Sequence, residues 1–487
     1  MNIDLRVVSR LLGFAVLGLG LAQISAIPWG YYHDDHAILG RYVGAVLITL
    51  AAGGLSVALG RGGEIRRREA LAVVATMWIA AGLFGGLPFV LTGAIPSPAG
   101  AFFEAVSGFT TTGATVIEDI DAQPLVVLYW RSMTQWLGGM GIIVLFLAVF
   151  PTLGVGSRHL FRFEVPGPIT EGLQPKIRST ALTLWGLYAL LTGVEFLLLV
   201  AADMSPFEAM NHAFTTMATG GFSTRGASVA AFDSAAIEWI ITGFMALAGI
   251  NFGLLFMVQQ GKFKKALGSE ELWFYLGILG FTTLVLFIQV RSPEGVGATL
   301  RDAAFTAVSL ATTTGYVTAD ADTFPNFSRV LLLTIMVVGG MAGSTAGGTK
   351  VSRVMILLRA ARHEIHRVFR PQAVFSMKMD GKKVDDRVVR GVLAFFFLAV
   401  LISVFAVLAL SLYDAGSGSP NDRLVTHISA VIACLFNIGP GMASAGGTES
   451  FAFLPGSALT LLALLMILGR LEFYALLVLL LPGFWRR

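Results

Sequence analysis

The sequence predicts an all-α integral membrane protein, with a two-helix leader followed by four helix–loop–helix repeats around one pseudo-fourfold axis. Three observations carry this. The 487 residues are 55% hydrophobic and only 13% charged, against about 25% charged in ordinary soluble domains. Apolar runs of about 20 residues, the length that spans a bilayer, recur along the whole chain. A short motif also appears four times, each time at the end of an apolar run too short to span.

The leader is 1–68, with spans near 8–29 and 40–60. The first run has no convincing small-residue cleavage site and is read as a retained helix. Repeat 1 is 69–178, with spans near 70–93 and 126–150. Repeat 2 is 179–270 (179–201 and 236–259), repeat 3 is 271–387 (272–290 and 326–358), and repeat 4 is 388–487 (390–413 and 456–482). Ser205-Pro206-Phe207-Glu208 and Thr299-Leu300-Arg301-Asp302 have the capping-box pattern that starts a helix, with Pro206 at the first helical position. In the longest polar stretch, Ala373–Met379 and Lys382–Val384 flank Asp380-Gly381 and suggest a small cytoplasmic hairpin.

Charge orients the chain. With the N-terminus inside, 26 of the 34 Lys and Arg fall on the inner side and seven on the outer, while Arg470 lies within a span. This obeys the positive-inside rule and puts both termini in the cytoplasm. The outer loops hold Glu118, Asp119, Asp121, Asp233, Asp320 and Asp322. They form either a cation-concentrating vestibule or a face that merely avoids positive charge. The single cysteine, Cys434, rules out an intramolecular disulfide.

The repeated motif is Thr111-Thr112-Gly113, Ala218-Thr219-Gly220, Thr313-Thr314-Gly315 and Asn437-Ile438-Gly439. All four lie on the outer side. Backbone can leave the helix at membrane depth only where it is buried or lines a wet cavity. Glycine accepts φ > 0, which lets successive carbonyls face one axis. Four such loops can supply rings of carbonyls that replace a cation's hydration shell. Ordinary glycine turns explain one such motif more easily than four. An enzyme finds little support. No HExxH pair exists among the seven histidines, and His363-Glu364-Ile365-His366 has the wrong spacing for one and sits in a basic stretch. A secondary transporter would favour two inverted repeats, whereas four repeats in one direction favour a pore.

In the second span of repeat 3, Gly339, Gly340, Gly343, Gly347 and Gly348 are interleaved with Ser344, Thr345 and Thr349. Each glycine costs a helix about 1 kcal/mol, so the span is expected to break mid-membrane into a mobile, poorly ordered loop that obstructs the cavity. The alternative is a small-residue seam for helix packing. Lys350 is placed to snorkel to the cytoplasmic interface. Glu195 is a buried carboxyl with no role assigned.

FFEAVSGFTTTGATV (102–116), MATGGFST (217–224), ATTTGYVT (311–318) and FNIGPG (436–441) resemble the four pore loops of the TrkH/KtrB superfamily of potassium transporters. GGMAGSTAGGTK (339–350) and LGRLEFY (468–474) resemble two further signatures of that superfamily, and the two-helix leader favours its TrkH branch. The resemblance implies a channel-like potassium uptake subunit, a homodimer with one pore per subunit in a bacterial inner membrane, and a cytoplasmic nucleotide-binding ring (TrkA) as partner. It implies K⁺ bound at the four motifs, no organic cofactor and no enzymatic activity. Gly113, Gly220, Gly315 and Gly439 would be the selectivity glycines, with glycine at all four favouring K⁺. Only Gly315-Tyr316 keeps an aromatic after the glycine and Pro440 follows Gly439, so Rb⁺ is expected to pass too. The resemblance makes Gly339–Lys350 an intramembrane gating loop and sets Arg470 against it below the filter. There Arg470 is either an electrostatic barrier or half of a buried ion pair, with Glu472, two residues on, a poor helical partner.

Overall fold

Apolar sequence over helical lengths dictates the architecture, because a backbone in lipid must satisfy its own hydrogen bonds. The computed structural model describes residues 3–33, 35–63, 67–148, 173–291, 295–370, 377–413, 415–416 and 418–485. Part of the expected span 126–150, part of the basic segment 158–178 and part of the first hairpin strand lie outside the described residues. The leader is two antiparallel helices, Leu5–Ile24 and His36–Leu59, linked by a short helix, Ile27–His33. They pack closely because Gly13 and Gly53 face the other helix's backbone, where a Cβ would fall 2.7 Å from Val57 N and 2.8 Å from Leu17 N respectively.

Each repeat then has an outer helix, a pore helix and an inner helix. The outer helices are Arg67–Thr92, Leu173–Ala201, Glu270–Gln289 and Asp386–Ser411. The last shows the pattern in full: Val388, Val392, Phe395, Ala399, Ala406 and Leu410 are buried in one helical stripe, while Phe397, Val400 and Phe405 are exposed where lipid would lie. The pore helices are Pro98–Phe109, Pro206–Met217, Val296–Ala311 and Pro420–Leu435, too short to cross a bilayer. Ser205 caps the second, accepting from Glu208 N, with Pro206 at its first position. Ser97 and Ser419 do the same for the first and fourth, the latter in a full capping box with Asp422. The expected box at Thr299 is wrong. The third pore helix starts earlier, after Gly295 at φ 108°, and Thr299 Oγ1 instead donates back to the Gly295 carbonyl from inside the first turn.

Among the described residues, six helices are long and apolar enough to cross a membrane, and two bent pairs pass as single units. The bends correct the sequence reading. Repeat 3 breaks as expected, into Asn326–Val338 and Val351–Phe369. The supposedly continuous spans 236–259 and 456–482 break too: Ala235–Ala248 meets Phe252–Gln259 at 103°, and Gly456–Arg470 meets Tyr474–Leu480 at 111°. The hairpin pairs Lys378 with Lys383 and Met379 with Lys382 around Asp380-Gly381. Asp380 Oδ1 docks it by accepting from Glu270 N at the start of the third outer helix.

Candidate functional site

The four pore loops share one backbone conformation. Past each pore helix and one capping residue comes a residue in the left-handed region: Thr111 (φ 52°), Thr219 (φ 54°), Thr313 (φ 59°) and Asn437 (φ 55°). Two residues later comes a glycine with positive φ: Gly113 (89°), Gly221 (74°), Gly315 (84°) and Gly439 (101°). The same capping bond recurs as well, with Thr112 N, Gly220 N, Thr314 N and Ile438 N donating to the carbonyls of Ser107, Thr215, Ser309 and Ala433. A β-branched residue at positive φ is a genuine outlier. Three such threonines and an asparagine at one repeated position mark stored strain of the kind found at functional sites.

This conformation shifts the register of the second loop by one residue. Gly221, not Gly220, is the counterpart of Gly113, Gly315 and Gly439, and Ala218 is a helix cap like Thr110 and Thr312. Gly220 sits where Thr112 sits in loop one, and its carbonyl accepts from Gln135 Nε2 at 2.7 Å. Two consecutive glycines made both registers readable in the sequence, and only the end of the pore helix separates them.

The loops close into a ring. A Cβ on Gly113 would fall 2.1 Å from the Gly220 carbonyl oxygen, on Gly221 1.9 Å from that of Thr314, on Gly315 2.5 Å from that of Ile438, and on Gly439 2.4 Å from that of Thr112. Each loop therefore abuts the next in the order one, two, three, four, one, with no room for a side chain. A mouth on one side of the ring is lined by Gly113, Gly221, Gly315 and Gly439. Behind it, Arg131 Nε pairs with buried Glu104 at 2.6 Å. Arg131 Nη1 reaches the Ser223 carbonyl, and Glu104 Oε2 accepts from Val116 N. This pair ties loop one to loop two. Tyr316 braces loop three by bonding through its hydroxyl with Thr215 and the His212 carbonyl. Of the six acids expected in a vestibule, Asp121 pairs with Arg225, which also holds Glu208, and Asp322 pairs with Arg329. Glu449 is the carboxylate that does line the mouth.

The glycine-rich segment lies directly against the ring. Gly347 N donates to Thr313 Oγ1 at 2.6 Å, and Gly348 N to the Phe436 carbonyl at 2.8 Å. Thr345 Oγ1 donates to the Met217 carbonyl at 3.0 Å. It thus touches three of the four loops or their pore-helix ends. Gly339, Gly343 and Gly348 have φ of 76°, 74° and 75°, and a Cβ on Gly340 would meet Ala346 Cβ at 2.6 Å. Ser344 Oγ donates to the Met341 carbonyl and Thr349 Oγ1 to that of Val337. The segment bonds to several neighbouring elements, because a backbone that leaves the helix at this depth must find partners. The breaks in the neighbouring inner helices provide some. Met341 N donates to the Gly249 carbonyl, and Phe252 N to that of Gly343. Glu271 Oε1, which the sequence reading did not single out, accepts from Ala342 N and Ser352 N.

Lys350 does not snorkel. It is 5% exposed, and its amine donates to the Ala346 carbonyl. Arg470 is buried and Nη2 donates to the Thr345 carbonyl at 2.7 Å. No carboxylate forms an ion pair with it among the described residues. Glu472 pairs instead with Arg353 at 2.6 Å, so the ion-pair reading belongs to that couple. Glu195 is fully buried, beside Thr216. No cluster of His, Cys, Asp or Glu suited to a metal occurs among the described residues.

Known proteins agree with this architecture. The TrkH family model, described as a cation transport protein, matches residues 41–483. The chain is 38% identical to the Trk system potassium uptake protein TrkH of Halomonas elongata over 99% of this chain and all of that one. It is 38% identical to Escherichia coli TrkH over 87% of each. The crystal structure of the potassium transporter TrkH from Vibrio parahaemolyticus superposes with a TM-score of 0.89 at 33% identity, covering 99% of this chain and all of that one. These relatives are transporters rather than enzymes, and the chain belongs to the TrkH family of cation transport proteins.

Proposed function

We propose that this protein is the membrane subunit of a potassium uptake system and passes K⁺ through a filter formed by its four pore loops. The carrying observation is that four loops of equal backbone conformation close into one ring, each glycine against the next loop's carbonyl. Thr111, Thr112 and Gly113 serve loop one, Thr313, Thr314 and Gly315 loop three, and Asn437, Ile438 and Gly439 loop four. Loop two contributes Thr219, Gly220 and Gly221. K⁺ is the cargo there, and the chain needs no organic cofactor. The four differ in side chain, so Rb⁺ passes with K⁺. The domain division, a leader at 1–68 and repeats at 69–178, 179–270, 271–387 and 388–487, belongs to this reading. So do a homodimer, a bacterial inner-membrane location with cytoplasmic termini, and a TrkA-like nucleotide-binding ring at the inner face.

In the same proposal, Gly339–Lys350 is the gate and Arg470 its latch. The segment fills the space under the ring, and Arg470 holds the Thr345 carbonyl. A hydrogen bond from a charged donor contributes about 1.5–3 kcal/mol. Arg470→Ala should therefore raise partner-free flux several-fold per folded protein. A stable variant with ordinary flux would remove the latch. The overall reading is tested by ⁸⁶Rb⁺ uptake into liposomes that contain the pure protein, with K⁺, Na⁺ and Li⁺ as competitors. Competition by K⁺ well above Na⁺ is expected, and equal competition, or uptake only with stoichiometric H⁺ or Na⁺ co-movement, would overturn it.

A further inference from the structure

The helix that follows the glycine loop, Val351–Phe369, is buried at Val351, Ser352, Arg353, Met355 and Ile356 and then leaves the core. Its 19 residues span about 28 Å at 1.5 Å per residue. That is enough to run from mid-membrane past the inner edge of a hydrocarbon layer whose half-thickness is about 15 Å. On its free half, Arg359, Arg362, His363, His366 and Arg370 recur at spacings of three and four and share one side. The hairpin adds Lys378, docked there by an Arg359 hydrogen bond to the Lys378 carbonyl. Together they enclose a cleft of about 370 Å³, within the range of small-ligand sites.

The charge in this cleft is poorly balanced. Glu270 pairs with Arg359 at 2.5 Å, and Glu364 pairs with Arg367 outside the cleft. Among the described residues, no carboxylate lines the cleft itself. Arg362 Nε donates to His366 Nε2 at 3.5 Å. Like charges gathered in one recess repel unless an anion joins them. Beside the basic stripe the same helix leaves Leu358, Ile365, Val368 and Phe369 between 56% and 83% exposed. An apolar stripe next to a basic one marks a helix at a lipid headgroup boundary, and an aqueous anion gives no reason for it. Depth agrees. Trp273, 58% exposed on the first turn of the third outer helix, is an interfacial anchor by type, and it stands one turn from Glu270, the partner of Arg359.

We propose that this cleft binds the phosphodiester headgroup of an anionic phospholipid from the inner leaflet, with the acyl chains against Ile365, Val368 and Phe369. Basic pockets at a membrane's cytoplasmic side have the chemistry for such headgroups. The same helix leads from the gate, so a bound lipid would hold its free end at the membrane surface.

The test is native mass spectrometry of the full-length protein in mild detergent, titrated with phosphatidylglycerol and separately with phosphatidylcholine. The double variant Arg362→Gln/Arg370→Gln removes two charges that form no ion pair among the described residues and leaves the Arg359–Glu270 pair intact. Arg367→Gln, on another side of the helix, is the control, and thermal melting confirms that all are folded. Phosphatidylglycerol binding should weaken about tenfold or more in the double variant and stay unchanged in the control, with phosphatidylcholine binding weakly to both. Inorganic phosphate at millimolar concentration should not displace the lipid. Displacement by phosphate, equal binding of the two lipids, or unchanged binding in the folded double variant would each overturn the proposal. So would unchanged lipid binding together with lost control by the cytoplasmic partner, which would assign the cleft to a protein instead.

Discussion

Gly221→Ser should abolish K⁺-over-Na⁺ discrimination, and should do so more completely than Gly220→Ser. The two glycines are adjacent but their constraints differ in kind. At Gly221 the backbone has φ 74°, and a Cβ would lie 1.9 Å from the Thr314 carbonyl oxygen. A serine there bears the left-handed cost of roughly 1–2 kcal/mol and also pushes away a carbonyl of the next loop. Its neighbour cannot give without opening the ring. At Gly220 the obstacle is the side chain of Gln135, 2.4 Å from a Cβ at its nearest atom. A side chain yields more readily than backbone, although moving it breaks the Gln135 bond to the Gly220 carbonyl. Gly113→Ser and Gly315→Ser meet backbone carbonyls, as at Gly221, and should behave like it. The measurement is Na⁺ competition against ⁸⁶Rb⁺ uptake in liposomes. If Gly220→Ser proves the more damaging, the shared conformation does not define the filter register. If all four variants compete like the wild type, these glycines are not the filter.

Deleting about six residues from Gly340–Gly347 should raise flux in the absence of the cytoplasmic partner several-fold and weaken the partner's control. The segment donates to Thr313 and to the Met217 and Phe436 carbonyls under the ring, and Arg470 and Glu271 hold it there. Each neutral hydrogen bond contributes only about 1 kcal/mol net. The closed arrangement therefore needs a differential free energy of only a few kcal/mol to give way, the scale on which binding events shift conformational equilibria. Alanine at Gly340, Gly343 and Gly347 should move the same equilibrium, because a Cβ at Gly347 would strike the Phe436 carbonyl oxygen at 2.3 Å. A folded deletion variant that conducts like the wild type under full partner control would place the gate elsewhere.

Much of the architecture was legible because the bilayer simplifies the problem. Spanning length and the fourfold glycine motif report directly on which segments are long enough to cross and where backbone leaves the helix. The broken inner helix of repeat 3 was legible for the same reason, since five glycines in ten residues outweigh any preference for continuity. The matching breaks in repeats 2 and 4 were not. The break after Arg470 runs through Glu472 and Phe473, at φ 53° and 65°, residue types that signal no turn. Contacts distant in sequence hold it: Glu472 on Arg353, Arg353 over the Phe395 ring at 4.5 Å, and Phe395 stacked on Phe473 at 4.7 Å.

The sequence by itself determined that four short apolar runs end in one repeated glycine motif and that one inner helix is interrupted. These follow from local composition and periodicity, which act within a few residues of each position. The tertiary structure decided which glycine of the Gly220-Gly221 pair enters the ring, that Thr111, Thr219, Thr313 and Asn437 bear the strain beside it, and what the interrupted segment is bonded to. It also decided that Glu472 serves Arg353 and leaves Arg470 to the Thr345 carbonyl. Those outcomes depend on how four segments, each about a hundred residues from the next, meet at one axis. A carbonyl there finds its donor, and a glycine its limit, on a different repeat.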